Sequence, residues 1–136
     1  MSKHPSLQQP IVSIDLRRNC IRIHRLTLHM LGDPEYIQLL VNPQTQKIAL
    51  RPSIKQDYLA HHVRPSLLKT KNCYELYSTD LMNTLRRFDC GWKCNCAYRI
   101  YGIMDEEQSI AQFSMNDTVL VNTATADCTG GIHESY

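Results

Sequence analysis

The chain has 136 residues, 43% of them hydrophobic, and carries 15 Lys/Arg against 13 Asp/Glu for a net charge of +2. That is apolar content enough for one compact domain or two closely packed halves. No run approaches the roughly 18 to 20 consecutive apolar residues of a membrane span, and residues 1–10 lack the apolar centre of a signal peptide, so a soluble cytoplasmic protein is expected. In that reducing setting the six cysteines are expected as free thiols.

The small net charge hides an asymmetry. Residues 1–69 carry +6 and residues 70–136 carry −4. A basic half attracts phosphate backbones through counterion release while an acidic half repels them, so a nucleic-acid surface on this chain is expected to be one-sided. The plain alternative is two solvated faces.

Residues 1–10 are polar, contain Pro5 and Pro10, and read as a flexible lead-in. A first unit is expected over residues 11–52. Val12, Ile14 and Leu16 alternate with polar positions and predict a leading strand, and residues 20–24 alternate again. Leu28 and Leu31 then have helical spacing. Gly32 can take the left-handed conformation that ends a helix, and Pro34 prevents its continuation, so the helix is short. Residues 36–41 and 47–51 flank the turn-forming stretch Asn42-Pro43-Gln44-Thr45-Gln46 and predict a hairpin. Residues 53–72 form a connector, in which Ile54, Tyr58, Leu59 and Val63 predict a short helix stopped before Pro65.

The same order returns in a second unit over residues 73–115. Residues 73–77 are strand-like. Ser78 or Thr79 caps a helix with Leu81, Leu85 and Phe88 on its apolar face. A loop over residues 89–93 leads to one strand over 96–103, a turn at 105–108 and a strand over 109–115. Residues 116–136 are expected to hold a last edge strand around Val119 and then a loose tail. The expected fold is α+β and mostly β, with two pseudo-repeated β-α-β-β units sharing one core.

The first unit, Ile21-Arg22-Ile23-His24-Arg25 followed by Leu28 to Gly32 and the hairpin, resembles the AbrB/MazE/SpoVT swapped-hairpin family. Leu31-Gly32 matches that family's helix end. His24-Arg25 stands where Pro-Lys is usual, and Gly32-Asp33-Pro34 is only loosely comparable with the family's Gly-Asp. The resemblance implies that two copies interleave into one barrel, here within a single chain, and that basic residues near the first strand and helix contact DNA. One such unit is too small to bury its own apolar faces, whereas two share a core.

The residues expected to contact duplex DNA are Arg17, Arg18, Arg22, Arg25, Lys47 and Arg51, converging near one end of the first unit, where Arg donates to phosphates or guanine edges. Arg22 is opposite in phase to Ile21 and Ile23 and is expected to be exposed. Glu75 and Asp80 occupy the equivalent stretch of the second unit, which counts against a symmetric DNA-binding pseudo-dimer and leaves either half-site binding or a second unit that binds a protein partner. The chain is expected as a monomer or homodimer.

Other chemistry finds little support. Cys90, Cys94 and Cys96, with Cys20, Cys73 or Cys128, lack the CxxC spacing of a zinc knuckle and read as buried small hydrophobes. His61-His62 reads as a solvated pair, and Trp92 as core packing or a lid. No phosphate loop, nucleophile elbow or HExxH is present, and Asp105-Glu106-Glu107 reads as a hairpin tip. The expectation is a DNA-binding, transcription-regulator-like protein without enzymatic activity, metal or cofactor. The alternative is a non-enzymatic interaction module, antitoxin-like or accessory to a mobile element, that does not bind DNA.

Overall fold

The computed structural model describes residues 8–64, 72–88, 91–93 and 95–121. Along the chain run β1 (Ile11–Asp15), β2 (Cys20–His24), α1 (Arg25–Met30), β3 (Tyr36–Asn42), β4 (Lys47–Ser53), β5 (His61–His62), β6 (Cys73–Tyr77), α2 (Thr79–Arg86), β7 (Ala97–Tyr101), β8 (Ile103–Asp105), β9 (Ile110–Ser114) and β10 (Thr118–Leu120). The protein is mainly β, of α+β class. Among the described residues the strands form two five-stranded sheets, in the orders β10-β7-β1-β2-β6 and β5-β3-β4-β9-β8, with every pairing antiparallel.

Alternation along the strands explains why the sheets face each other. Val12, Ile14, Ile21, Ile23, Leu76, Tyr98 and Ile100 come from the first sheet and Ile37, Ile48, Leu50, Ala111 and Phe113 from the second, and all belong to one buried cluster. Each fully buried aliphatic or aromatic side chain contributes about 1.5–3 kcal/mol against the chain entropy. Ile11 to Leu16 alternate as the sequence predicts, but Ser13 and Asp15, on the opposite phase, are also buried.

Helix α1 has six residues, too few to persist alone. Leu28 anchors it in the core. Thr27 Oγ1 accepts the Ile11 N–H at 2.7 Å and donates to the Ile11 carbonyl at 2.8 Å, fixing the helix to the start of β1. Its C-terminus closes as Gly32 predicts: the Asp33 N–H reaches Leu28 O at 2.9 Å and the Gly32 N–H reaches His29 O at 3.0 Å, with Gly32 at φ +89. Helix α2 starts at Ser78, whose hydroxyl accepts the Leu81 N–H at 3.3 Å. Its buried residues are Met82 and Leu85, while Leu81 and Phe88 pack half-buried at the margin. The apolar face is thus turned from the expected one, because Met82 fills the core in place of Leu81.

Three further expectations are corrected. Residues 54–63 form turns and the edge strand β5, not a helix: Ile54, Tyr58 and Leu59 are exposed, so no apolar face exists to hold one. Asp57 instead closes a turn with Ile54, its carboxylate accepting the Ile54 N–H at 3.1 Å. His61-His62 is that strand, with His62 stacked on Tyr36 at 4.8 Å and its Nε2 3.6 Å from a Glu35 carboxylate oxygen. The single strand expected over 96–103 divides at Gly102, where the chain leaves the first sheet as β7 and enters the second as β8.

Candidate functional site

The face of the first sheet turned away from the core is polar. In register, Arg99 of β7 stands opposite Ser13 of β1, Ser13 opposite Arg22 of β2, and Arg22 opposite Glu75 of β6. Antiparallel partners share a face, so these four side chains form one row across four strands. His24 and Cys73 pair in the next row.

Asp15 organises this face. Its side chain is 1% exposed, and Oδ1 accepts the backbone N–H of Arg17 at 3.0 Å and of Arg18 at 3.2 Å. Those bonds hold the tight β1–β2 turn, completed by Asn19 at φ 55. Oδ2 accepts from Arg22 Nη1 at 3.0 Å, while Arg22 Nε donates to Glu75 Oε2 at 3.0 Å. Burial alone would push the Asp15 carboxyl up, but the Arg22 bond, the Arg18 N–H and the charges of Arg22 and Arg17 hold it below the ordinary carboxylate value. For Arg22, burial opposes the charged form, and the Asp15 and Glu75 bonds outweigh it.

Beside this pair lies a cavity of about 370 Å3, whose lining includes Ser13, Asp15, Arg17, Arg18, Arg22, His24, Cys73 and Arg99. Four guanidinium-bearing residues thus meet one carboxylate there. Arg99 differs from the others: its Nε is buried and has no hydrogen-bond partner. Ser13 Oγ and His24 Nε2 are 3.3 Å apart. Burial, then the charges of Arg99 and Arg22, push the His24 imidazole below its ordinary value, so it is neutral at pH 7. Cys20, two residues before Arg22 on the same face of β2, is fully buried and its thiol is pushed up by that burial.

The six basic residues read from the sequence do not converge. Arg17, Arg18 and Arg22 line this cavity, and Arg25 is exposed one residue beyond His24. Lys47 and Arg51 lie instead on the outer face of the second sheet, where Arg51 donates through Nε and Nη2 to Gln38 Oε1 at 3.0 and 2.8 Å. Their strand, β4, buries Ile48 and Leu50, and this sends Lys47 and Arg51 away from the core. Arg22 is not an exposed side chain: β6 lies alongside β2 and brings Glu75 to it, leaving 22% of the side chain accessible.

Arg99, Ser13, His24 and Asp15 went unread in the sequence. Their strand phase was legible, since each alternates with core residues. The pairing of β7 with β1, which delivers Arg99 to the site, was not. Among the described residues no three His, Cys, Asp or Glu side chains gather as a metal site. Cys96 is disulfide-bonded, whereas Cys20 and Cys73 are in no disulfide; Cys90, Cys94 and Cys128 lie outside the described residues. The expectation of six free thiols therefore fails at Cys96, since sequence spacing does not reveal which sulfurs approach in space. Trp92 stacks on Tyr98 at 5.1 Å and its Nε1 donates to Thr118 Oγ1 at 3.3 Å.

Fold and site together define a mainly β protein with two antiparallel sheets around one core and an arginine-lined cavity on an outer face. No helix among the described residues is long and apolar enough to cross a membrane. No protein-family model matches the chain, and neither the curated proteins nor the solved structures compared with it give a match.

Proposed function

We propose that the protein is a non-enzymatic DNA-binding protein of transcription-regulator type, whose contact surface is the outer face of the first sheet. The observation that carries this reading is the excess of guanidinium groups over carboxylates around the cavity, with Arg17 and Arg18 presented at its rim by a turn that Asp15 holds in shape. Basic groups fixed on a scaffold contact phosphates without reorganising. Arg22, bound on both sides by carboxylates, acts in this reading as a strut for the surface and not as a base reader.

Two strand pairings support the related proposal of a tandem swapped-hairpin ancestry. β2 pairs antiparallel with β6, and β4 pairs antiparallel with β9, so the corresponding strands of the two proposed units meet each other in both sheets. Strands β1, β5 and β10 are additions to that plan, and β7 is the part of the strand expected over 96–103 that joins the first sheet.

Titration of duplex DNA at several salt concentrations tests the function. Binding that weakens steeply with salt, with a log-log slope that falls by about one unit for Arg17→Ala or Arg18→Ala, is the expected result. Absence of binding at low salt refutes it.

A second reading, the protein-interaction module, draws on the outer face of the second sheet. There Leu40, Ala49, Gln112 and Ile103 align across four strands, and Leu40 and Ile103 are exposed. Exposed apolar rows of this kind mark association surfaces.

A further inference from the structure

We propose that the cavity on the first sheet is a binding site for the phosphate group of a small phosphorylated molecule, with Arg99 as its principal ligand. This goes beyond the DNA reading and stands independently of it. A buried guanidinium N–H without a partner is a desolvated donor that a protein leaves unmatched only where something else takes it. The Arg99 Nε is such a donor, and Arg99 is one of the residues that line the cavity.

The remaining groups suit a tetrahedral oxyanion. Arg22 spends Nε on Glu75 and one Nη1 bond on Asp15, which fixes its plane and leaves Nη2 for a ligand. Ser13, between Arg22 and Arg99 in the row, offers a hydroxyl that can donate or accept. The Arg99 guanidinium, the Nη2 of Arg22 and the Ser13 hydroxyl, carried on three adjacent strands, can donate to several oxygens of one phosphate at once. Arg17 and Arg18 add positive charge at the rim and compensate for Asp15.

Size and depth separate this site from a duplex contact. A volume of about 370 Å3 lies within the range of small-ligand cavities. Backbone phosphates of a duplex are reached by exposed side chains such as Arg17 and Arg18, whereas the Arg99 Nε is buried beneath the surface. The cavity thus takes a phosphomonoester of about nucleotide size or smaller.

The test is a titration of the full-length protein with inorganic phosphate, a nucleoside 5′-monophosphate and the unphosphorylated nucleoside, followed by calorimetry and by the ring resonances of His24. Phosphate and the monophosphate are expected to bind and to shift His24, and the nucleoside is expected to do neither. Arg99→Gln is expected to weaken binding at least about ten-fold, and Ser13→Ala by about three-fold, with Arg25→Ala without effect. Thermal melts establish that each variant is folded, and the wild-type His24 shifts serve as a readout that needs no variant. No binding by either phosphate compound at about 10 mM, equal binding by the nucleoside, or affinity unchanged in folded Arg99→Gln would each overturn the proposal. Duplex affinity, measured on the same samples, answers the DNA question separately: its loss leaves the phosphate site standing, and the reverse holds as well.

Discussion

Gly102 is packed so closely against Phe113 that a Cβ added to it would lie 2.5 Å from the ring Cδ2 and 2.4 Å from the Gln112 carbonyl oxygen. The glycine permits the chain to pass from the first sheet to the second directly over a buried ring, and its N–H is held by the Pro10 carbonyl at 2.8 Å. Gly102→Ala is expected to cost about 3 kcal/mol, the upper end of overpacking, because the nearest atom is backbone and cannot swing aside. A drop of roughly 10 °C in Tm by calorimetry is the corresponding observation; an unchanged Tm would contradict the corner described here.

Asp15→Ala removes a buried carboxylate that serves Arg22 and the β1–β2 turn together. Breaking one side of a buried pair costs about 3–5 kcal/mol, and the lower end is expected because Glu75 still holds Arg22. Chemical denaturation measures it directly. Since the Asp15 carboxyl is held below its ordinary value of 3.8, its contribution is present above that pH and lost as pH falls through the folded value. Asp15→Asn should therefore flatten the acid limb of the stability curve.

His24 and His61 are both pushed below the ordinary histidine value of 6.5, first by burial in each case. Below that value the unfolded chain takes up protons that the folded rings refuse. Stability is then expected to be full above about pH 6.5 and to decline as the pH falls toward the folded values. For His24 the groups facing the ring are Ser13, Arg22, Cys73 and Arg99. His24→Gln should remove part of the decline, and a denaturation series from pH 7 to pH 5 decides it; NMR titration of the two rings gives the site assignment.

Salt dependence separates the two outer faces. Arg17→Ala and Arg18→Ala are each expected to lower the salt slope of duplex binding by about one unit, while Lys47→Ala and Arg51→Ala leave it unchanged. Equal effects from all four would place the DNA on both sheets and refute the one-sided surface.

Much of the strand content was readable because alternation survives in almost every strand: Ile21 and Ile23, Ile48 and Leu50, Ala111 and Phe113 all point inward as their period predicts. Local punctuation was equally legible at Gly32 and Ser78, where the cap depends on a few neighbouring residues. Long-range pairing was not. Nothing near Arg22 signals that Glu75 will lie beside it, so an arginine with the phase of an exposed residue became half-buried and paired. The connector misled for a related reason. Ile54, Tyr58 and Leu59 have helical spacing, yet all three are exposed, and the Ile54–Asp57 turn prevails. The cavity needed four strands brought together from both halves of the chain, which no local pattern encodes.

The place of β1 in its sheet has a consequence for how the protein is made. This early strand is not at an edge but between β2 and β7, with Val12 paired to both Ile23 and Ile100. As the chain emerges from a ribosome, β1 can find β2 at once but must keep its other edge open until β7 arrives. Such distant pairings make folding slow, on the millisecond-to-second scale typical of mainly β domains. A nascent chain halted before residue 97 would expose a central strand edge to its neighbours and be prone to aggregate, whereas one released after residue 101 could close the sheet.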